Sequence, residues 1–284
     1  MSSDLIIVHR RELLKTMALS GLGVSSMMCG TFCGCRTAPI TGRKQLLIMP
    51  ESQELQLGQQ AYSETLSQEP VSQHPRNTLI VNRVGQRIAA VSGRNDYQWE
   101  FTLIASPTQN AFCLPGGKVA IYEGILPVCQ SEAGLAVVMS HEVAHALARH
   151  GGERMSQDFT TQGVQKVIGT ITQQQVPEKH ELLMQAYGLG TKYGVLLPYS
   201  RKQESEADHI GVMLMAQAGY DPQEAPRFWQ RFGQLNAGAQ QPEFLSTHPA
   251  DARRAADLLA LLGEAKNYYS ASTQQYGLGE YFSA

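Results

Sequence analysis

The stretch "VVMSHEVAHALARHG", residues 137–151, sets His141, Glu142, His145 and His150 into a run otherwise made almost wholly of valine, alanine, leucine and methionine. From Ser131 onward "SEAGLAVVMSHEVAHALARH" contains no breaker before Gly151 and Gly152, and Ser131 suits an N-cap with Glu132 in the first turn. The pattern predicts one buried helix running to Gly151. Residues four apart share a helix face, so His141 and His145 direct their imidazoles to a common point, as two ligands of a zinc ion must. Glu142, beside the first of them, is placed to act on a metal-activated water and not to bind the ion. Unpartnered ionisable groups are costly on so apolar a helix, which argues against a histidine pair without a metal.

A catalytic zinc keeps three protein ligands and one open position. Candidates stand on a second helical stretch, "SRKQESEADHIG", in which Glu204 and Asp208 share a face while Glu206 points elsewhere and reads as part of a solvated acidic face. One of the pair binds the ion and the other, one turn on, accepts the free N–H of a ligand histidine; spacing alone does not choose between them.

Around these two stretches the chain reads as α+β: a mainly helical domain with a small sheet beside the active-site helix. A helix is expected from about Ser52 to Ser67, with an imperfect stripe of Leu55, Leu57, Ala61, Tyr62 and Leu66. A second starts at Pro75 and buries Leu79, Ile80, Val84, Ile88 and Val91. "YQWEFTLIA" then alternates with period two, and "NAFCLPGGKVAIYEGIL" reads as two short strands broken at Pro115, Gly116 and Gly117. The stretch from Glu153 to Gly194 has few apolar residues and is expected to have a mobile middle. A helix from about Ser200 to Ala218 ends at Gly219, and two shorter helices, "EAPRFWQRFGQL" and "HPADARRAADLLALLG", close the domain across the polar linker "NAGAQQPEFLST".

His141-Glu142-Val143-Ala144-His145, "SRKQESEAD" and "STHPADARR", in that order, resemble the HtpX and BepA group of zinc metallopeptidases, gluzincins related to the CAAX prenyl proteases. The resemblance covers most of the chain after Cys35. It implies a zincin domain binding one zinc ion through His141, His145 and Glu204, with Asp208 supporting a ligand. It further implies that His248 approaches the metal, either to stabilise the oxyanion of the transition state or to fill the open position and make the enzyme latent. Arg254 then orients His248 or a substrate carbonyl. "NAFCLPGG" resembles the family's edge strand, so substrate is expected to lie extended near Asn110, Gly116 and Gly117, along residues 110–120. His150 and Asn110 are read as structural or supporting. The implied activity is endoproteolysis of envelope or misfolded proteins in quality control. The rival reading is a chaperone-like binding module whose zinc is blocked by His248.

The 284 residues carry a net charge of −2 with no basic run in the body, which excludes nucleic acid as a partner on electrostatic grounds. Residues 1–35 read as an export segment and 36–284 as the peptidase domain. Arg10 and Arg11, followed by Leu13 and Leu14, resemble a twin-arginine signal, and "FCGC" loosely resembles a lipobox with Cys35 acylated. The expectation is a periplasmic protein held on a membrane surface by a lipid anchor, with Arg36 compatible with an outer-membrane location. No later stretch offers the ~20 continuous apolar residues of a spanning helix. Cys113 and Cys129 stand as either a disulfide or two buried thiols.

Overall fold

The computed structural model describes residues 35–157, 201–235, 242–248 and 252–282. The chain divides into two units, Met1–Arg36 and Thr37–Ala284, and the second carries everything that follows. Residues 1–34 of the expected export segment, the side chain of Cys35, the expected mobile stretch from residue 158 on, and residues 236–241 of the expected linker lie outside the described residues.

After a short strand β1 (Lys44–Leu46), helices α1 (Glu51–Gln68) and α2 (Pro75–Val91) precede the sheet. Pro75 occupies the first turn of α2, where its missing N–H costs nothing, and the His74 side chain accepts from Asn77 N–H. Helix α2 buries Ile80, Val81, Val84 and Ile88, whereas Leu79, expected inside, is 62% exposed because it lies about 100° round the helix from Ile80. Helix α1 buries Ala61 and Tyr62, but its innermost charged residue is Glu54, paired with Arg149.

Three strands form the sheet: β2 (Glu100–Ile104), β3 (Ala111–Leu114) and β4 (Lys118–Tyr122). Strand β4 is central, parallel to β2 and antiparallel to β3, and is buried at all five residues. Lys118 to Ala120 therefore lie in the middle of the sheet and not on an edge as expected. Of the expected edge segment, only β3 lies on an edge of the sheet. Gly116 and Gly117 make the turn into β4 with φ of 92° and 84°, values that a side chain would strain.

Helix α4 (Glu132–Leu147) follows a short turn of helix, α3 (Leu126–Cys129). Ser131 caps α4 by accepting from Gly134 N–H, and the C-terminal tail supplies the Glu280 and Leu278 carbonyls to Glu132 and Ala133 N–H. Every residue of α4 from Glu132 to Ala146 is buried, because the helix lies against β3, α2, α6 (Arg201–Gln217) and α7 (Glu224–Leu235) at once. It does not run on to Gly151. It stops at Leu147, Arg149 adopts a left-handed φ of 53°, and residues 150–157 begin a new helix, α5. The break follows from the side chain of Arg149, whose 2.6 Å pair with buried Glu54 draws the chain away from the axis of α4.

Gly211 brings α6 against α4: an added Cβ would stand 3.1–3.2 Å from the backbone of Ser140 and His141. Gly219, with φ of 86°, ends α6 as expected. Part of the expected linker is instead a short helix, α8 (Glu243–Thr247), tied to the approach of β3 by Phe244 N–H donating to the Gln109 carbonyl at 3.1 Å. The last helix, α9 (Ala252–Ala271), runs well past the expected Gly263. Cys113 and Cys129 are both buried and both free thiols.

Candidate active site

Helix α4 presents His141 and His145 one turn apart, α6 brings Glu204 opposite them, and the end of α8 delivers His248. All four are buried, and their ligand atoms lie within 4.8 Å of one another. The separations have a specific meaning. With metal–ligand bonds of roughly 2.0–2.1 Å, neighbouring corners of a tetrahedral zinc site lie roughly 3.3–3.4 Å apart. Here His141 Nε2 is 3.1 Å from His145 Nε2, 3.4 Å from Glu204 Oε2 and 3.2 Å from His248 Nδ1. Glu204 Oε1 is 3.3 Å from His145 Nε2 and 3.1 Å from His248 Nδ1. Three imidazole nitrogens and a carboxylate at such distances are a donor set for zinc, and the residues fit the ion.

Each ligand is oriented by a partner. His141 Nδ1 lies 3.0 Å from Asp208 Oδ1, a carboxylate that can only accept, so the proton sits on Nδ1 and the Nε2 lone pair faces the cluster. Arg254 grips Asp208 through Nε at 2.7 Å and Nη2 at 2.6 Å, reaches Glu204 Oε2 with Nη1 at 3.0 Å, and stacks its guanidinium 3.5 Å over the Trp229 ring. Trp229 also meets the edge of the His141 ring. Arg254 thus orients two carboxylates.

Burial alone would raise the carboxyl of Glu204, but His248 and hydrogen bonds from His141 and His145 outweigh it and hold the group well below the usual range. Glu142 behaves oppositely: burial, reinforced by the charge of Glu204 and offset by His248 and Arg254, pushes it up to about 7. Its Oε1 accepts no hydrogen bond among the described residues and lies 3.3 Å from His248 Nε2. His248 therefore turns one ring nitrogen toward the cluster and the other toward Glu142.

Glu206 departs from expectation, and His150, read as structural or supporting, touches a ligand histidine. Because the chain turns at Arg149, His150 comes back beneath the ligands, with Nδ1 2.8 Å from His145 Nδ1 and Nε2 2.9 Å from Glu206 Oε2. Glu206 is buried and not on a solvated face; it accepts from His150, Thr41 and Arg43. Sequence reasoning missed Thr41, Arg43 and Trp229. "RFWQRF" carried an ordinary core pattern, and nothing marked residues 41–43.

The remaining expected residues surround the edge strand. Asn110 turns its Oδ1 to Ala111 N–H and its carbonyl to Tyr122 N–H. By the alternation of antiparallel pairs, the backbone groups of Ala111 and Cys113 then face away from the sheet. Cys113 is close enough to Glu142 that its thiol, already raised by burial, is raised further by that carboxyl. Gly116 and Gly117 shape the turn below this edge and do not lie along it. No described helix is long and apolar enough to cross a membrane.

The sequence profile of peptidase family M48 matches residues 75–262. A Schizosaccharomyces pombe protein described as mitochondrial metalloendopeptidase OMA1 is 40% identical over 236 residues, 80% of this chain and 66% of its own length. The Saccharomyces cerevisiae protein of that description is 32% identical over 266 residues, 87% of this chain and 74% of its own. A beta-barrel assembly-enhancing protease of Escherichia coli is 26% identical over 254 residues, 85% of this chain and 52% of its own. The chain thus spans about half to three quarters of the length of these relatives.

Proposed function

This chain belongs to peptidase family M48, whose members are zinc metallopeptidases, and from that premise we propose that it is an endopeptidase acting on envelope or misfolded proteins. The observation that carries the reading is the convergence of His141, His145, Glu204 and His248, whose ligand atoms all lie within 4.8 Å of one another, beside Glu142. Zinc bound there supplies Lewis acidity, which lowers the pKa of a neighbouring water to about 7 and polarises a carbonyl. His141, His145 and Glu204 are its ligands in this proposal, with Asp208 holding the tautomer of His141 and Arg254 holding Asp208 and Glu204. Glu142 takes the proton of the water as it adds to the scissile carbonyl carbon, then returns it to the amine as the C–N bond breaks. A group held at about 7 can do both. An extended substrate adds as a strand beside β3, bonding to the outward backbone of Cys113. The names of the relatives, a mitochondrial metalloendopeptidase and a beta-barrel assembly-enhancing protease, support protein quality control as the setting.

The position of His248 favours a second, compatible reading. Its Nδ1 is at the fourth corner of the cluster, 3.2 Å from His141 Nε2 and 3.1 Å from Glu204 Oε1, where a reacting water would stand. In this arrangement the enzyme is latent, and withdrawal of α8 with His248 opens it. Zinc content measured together with casein cleavage, with and without a chelator, tests the peptidase reading; zinc-free protein, or cleavage indifferent to chelation, sinks it. His248→Ala should cleave casein faster than wild type if the histidine blocks the site, and slower if it stabilises the oxyanion. Unchanged cleavage with intact binding of an unfolded client would instead support the binding module. Acylation at Cys35 places the enzyme on a membrane from the exported side; fractionation of cells carrying Cys35→Ser tests it, and an unmoved protein counts against the anchor.

A further inference from the structure

Of the four cluster residues, His145 hands its second ring nitrogen to a chain of residues with no role so far. His145 Nδ1 is 2.8 Å from His150 Nδ1, His150 Nε2 is 2.9 Å from Glu206 Oε2, and Glu206 accepts in turn from Thr41 and, at 2.6 Å, from Arg43 Nε. His150 is fully buried and Glu206 nearly so. Arg43 is fixed independently by a two-toothed pair with Glu153, both contacts at 2.7 Å.

The order of protons along this chain is forced. Paired with Arg43, the Glu206 carboxylate only accepts, so His150 donates from Nε2. Two nitrogens 2.8 Å apart share one proton. If it belonged to His150, that ring would carry both its protons and His145 would be left with a proton on Nε2, the atom that faces the metal cluster. Binding through His145 Nε2 requires the other order: His145 Nδ1–H donates to the bare Nδ1 of His150. The carboxylate thus sets the tautomer of a ligand through an intervening imidazole, one residue further out than Asp208 does for His141.

We propose that His150 and Glu206 are positioning residues that fix the metal-binding tautomer of His145, and that Thr41 and Arg43 make the segment before α1 a working part of the metal centre. The inference rests on the zinc reading above. The segment carrying Thr41 and Arg43 is not accessory: it orients the carboxylate at the end of the relay, so integrity of this stretch and retention of zinc are linked.

The test is zinc affinity of the full chain, measured by competition with a chromophoric chelator, with the thermal midpoint of the chelated protein as a check on folding. His150→Phe and Glu206→Leu should each weaken zinc binding about 10- to 100-fold. The double variant should be no worse than the weaker single, since both cut one relay. Glu206→Gln should stay within about threefold of wild type, because its amide oxygen can replace Oε2 while the amide N–H meets the Thr41 hydroxyl. A residue that merely filled space would not separate Gln from Leu at position 206, so equal losses in those two variants overturn the proposal, as does wild-type affinity in both His150→Phe and Glu206→Leu. Should these variants not fold, ring-nitrogen chemical shifts of wild-type zinc protein decide: protons on His145 Nδ1 and His150 Nε2 are expected, and a proton on His150 Nδ1 overturns it. A wild-type chain that binds no zinc removes the metallopeptidase reading and the relay together, whereas wild-type binding with unaltered variants removes the relay alone.

Discussion

Two carboxyl groups in the same buried pocket are driven in opposite directions. Glu204 faces three imidazoles and an arginine and stays ionised, while Glu142, burdened mainly by desolvation, is raised to about 7. The division matches a ligand and a proton carrier, and it predicts that Glu142→Gln keeps its zinc but loses peptide hydrolysis by roughly 10²- to 10⁴-fold. Metal analysis and casein turnover on the same sample measure both; turnover near wild type would remove Glu142 from the chemistry. Glu206 gives a prediction about stability. Burial opposes its ionisation, but hydrogen bonds from His150, Thr41 and Arg43 win and hold it at about 2, below the ordinary value of 4.5. A carboxyl depressed on folding contributes stability that is complete above the unfolded pKa and is lost as pH falls through the folded one. Between about pH 4.5 and 2 the thermal midpoint of the chelated wild type should therefore fall more steeply than that of Glu206→Gln; parallel curves would contradict the assignment.

At the scale of elements, the ligand geometry depends on how closely α6 approaches α4. The choice of Glu204 as a ligand came from the family resemblance; the sequence itself marked both helices by the four-residue spacings of His141 with His145 and of Glu204 with Asp208, which survive any packing arrangement. It did not mark the closeness, which resides in Gly211 and is invisible to periodicity. The added methyl of Gly211→Ala would meet the backbone of Ser140 and His141 at 3.1–3.2 Å, where no side chain can swing aside. That variant should weaken zinc binding and destabilise the fold by roughly 1–3 kcal/mol, read as a lower chemical-denaturation midpoint; unchanged values would mean that the helices part without cost to the site. The end of α4 was misread for a related reason. Local pattern sees a helix former at Arg149, whereas a tertiary pair with Glu54, far back in the sequence, decides the turn there. Only that turn brings His150 under His145, so the relay was legible as a residue type and not as a contact.

Described elements far apart in the chain meet at the metal cluster. His145 and His248 come from α4 and the end of α8, Glu204 from α6 between them, and His141 and His248 stand 107 residues apart in the chain. Motif order predicted this meeting, because each motif carries its own chemistry, but the contribution of residues 41–43 could not be read from polar residues in a segment with no periodicity. Since these pieces converge on one point, a bound ion stabilises the assembled state against the unfolded chain by mass action. With free zinc at about 1,000 times the dissociation constant the gain is about 4 kcal/mol. In a domain of this size each kcal/mol moves the thermal midpoint by roughly 2–4 °C, so chelation should lower it by roughly 8–16 °C. The shift should shrink in His145→Ala, which has less affinity to lose, and should be restored in wild type by added zinc but not by magnesium, which prefers oxygen ligands. Calorimetry of the full chain with and without chelator measures it, and an unmoved midpoint would mean that the cluster is assembled by packing alone.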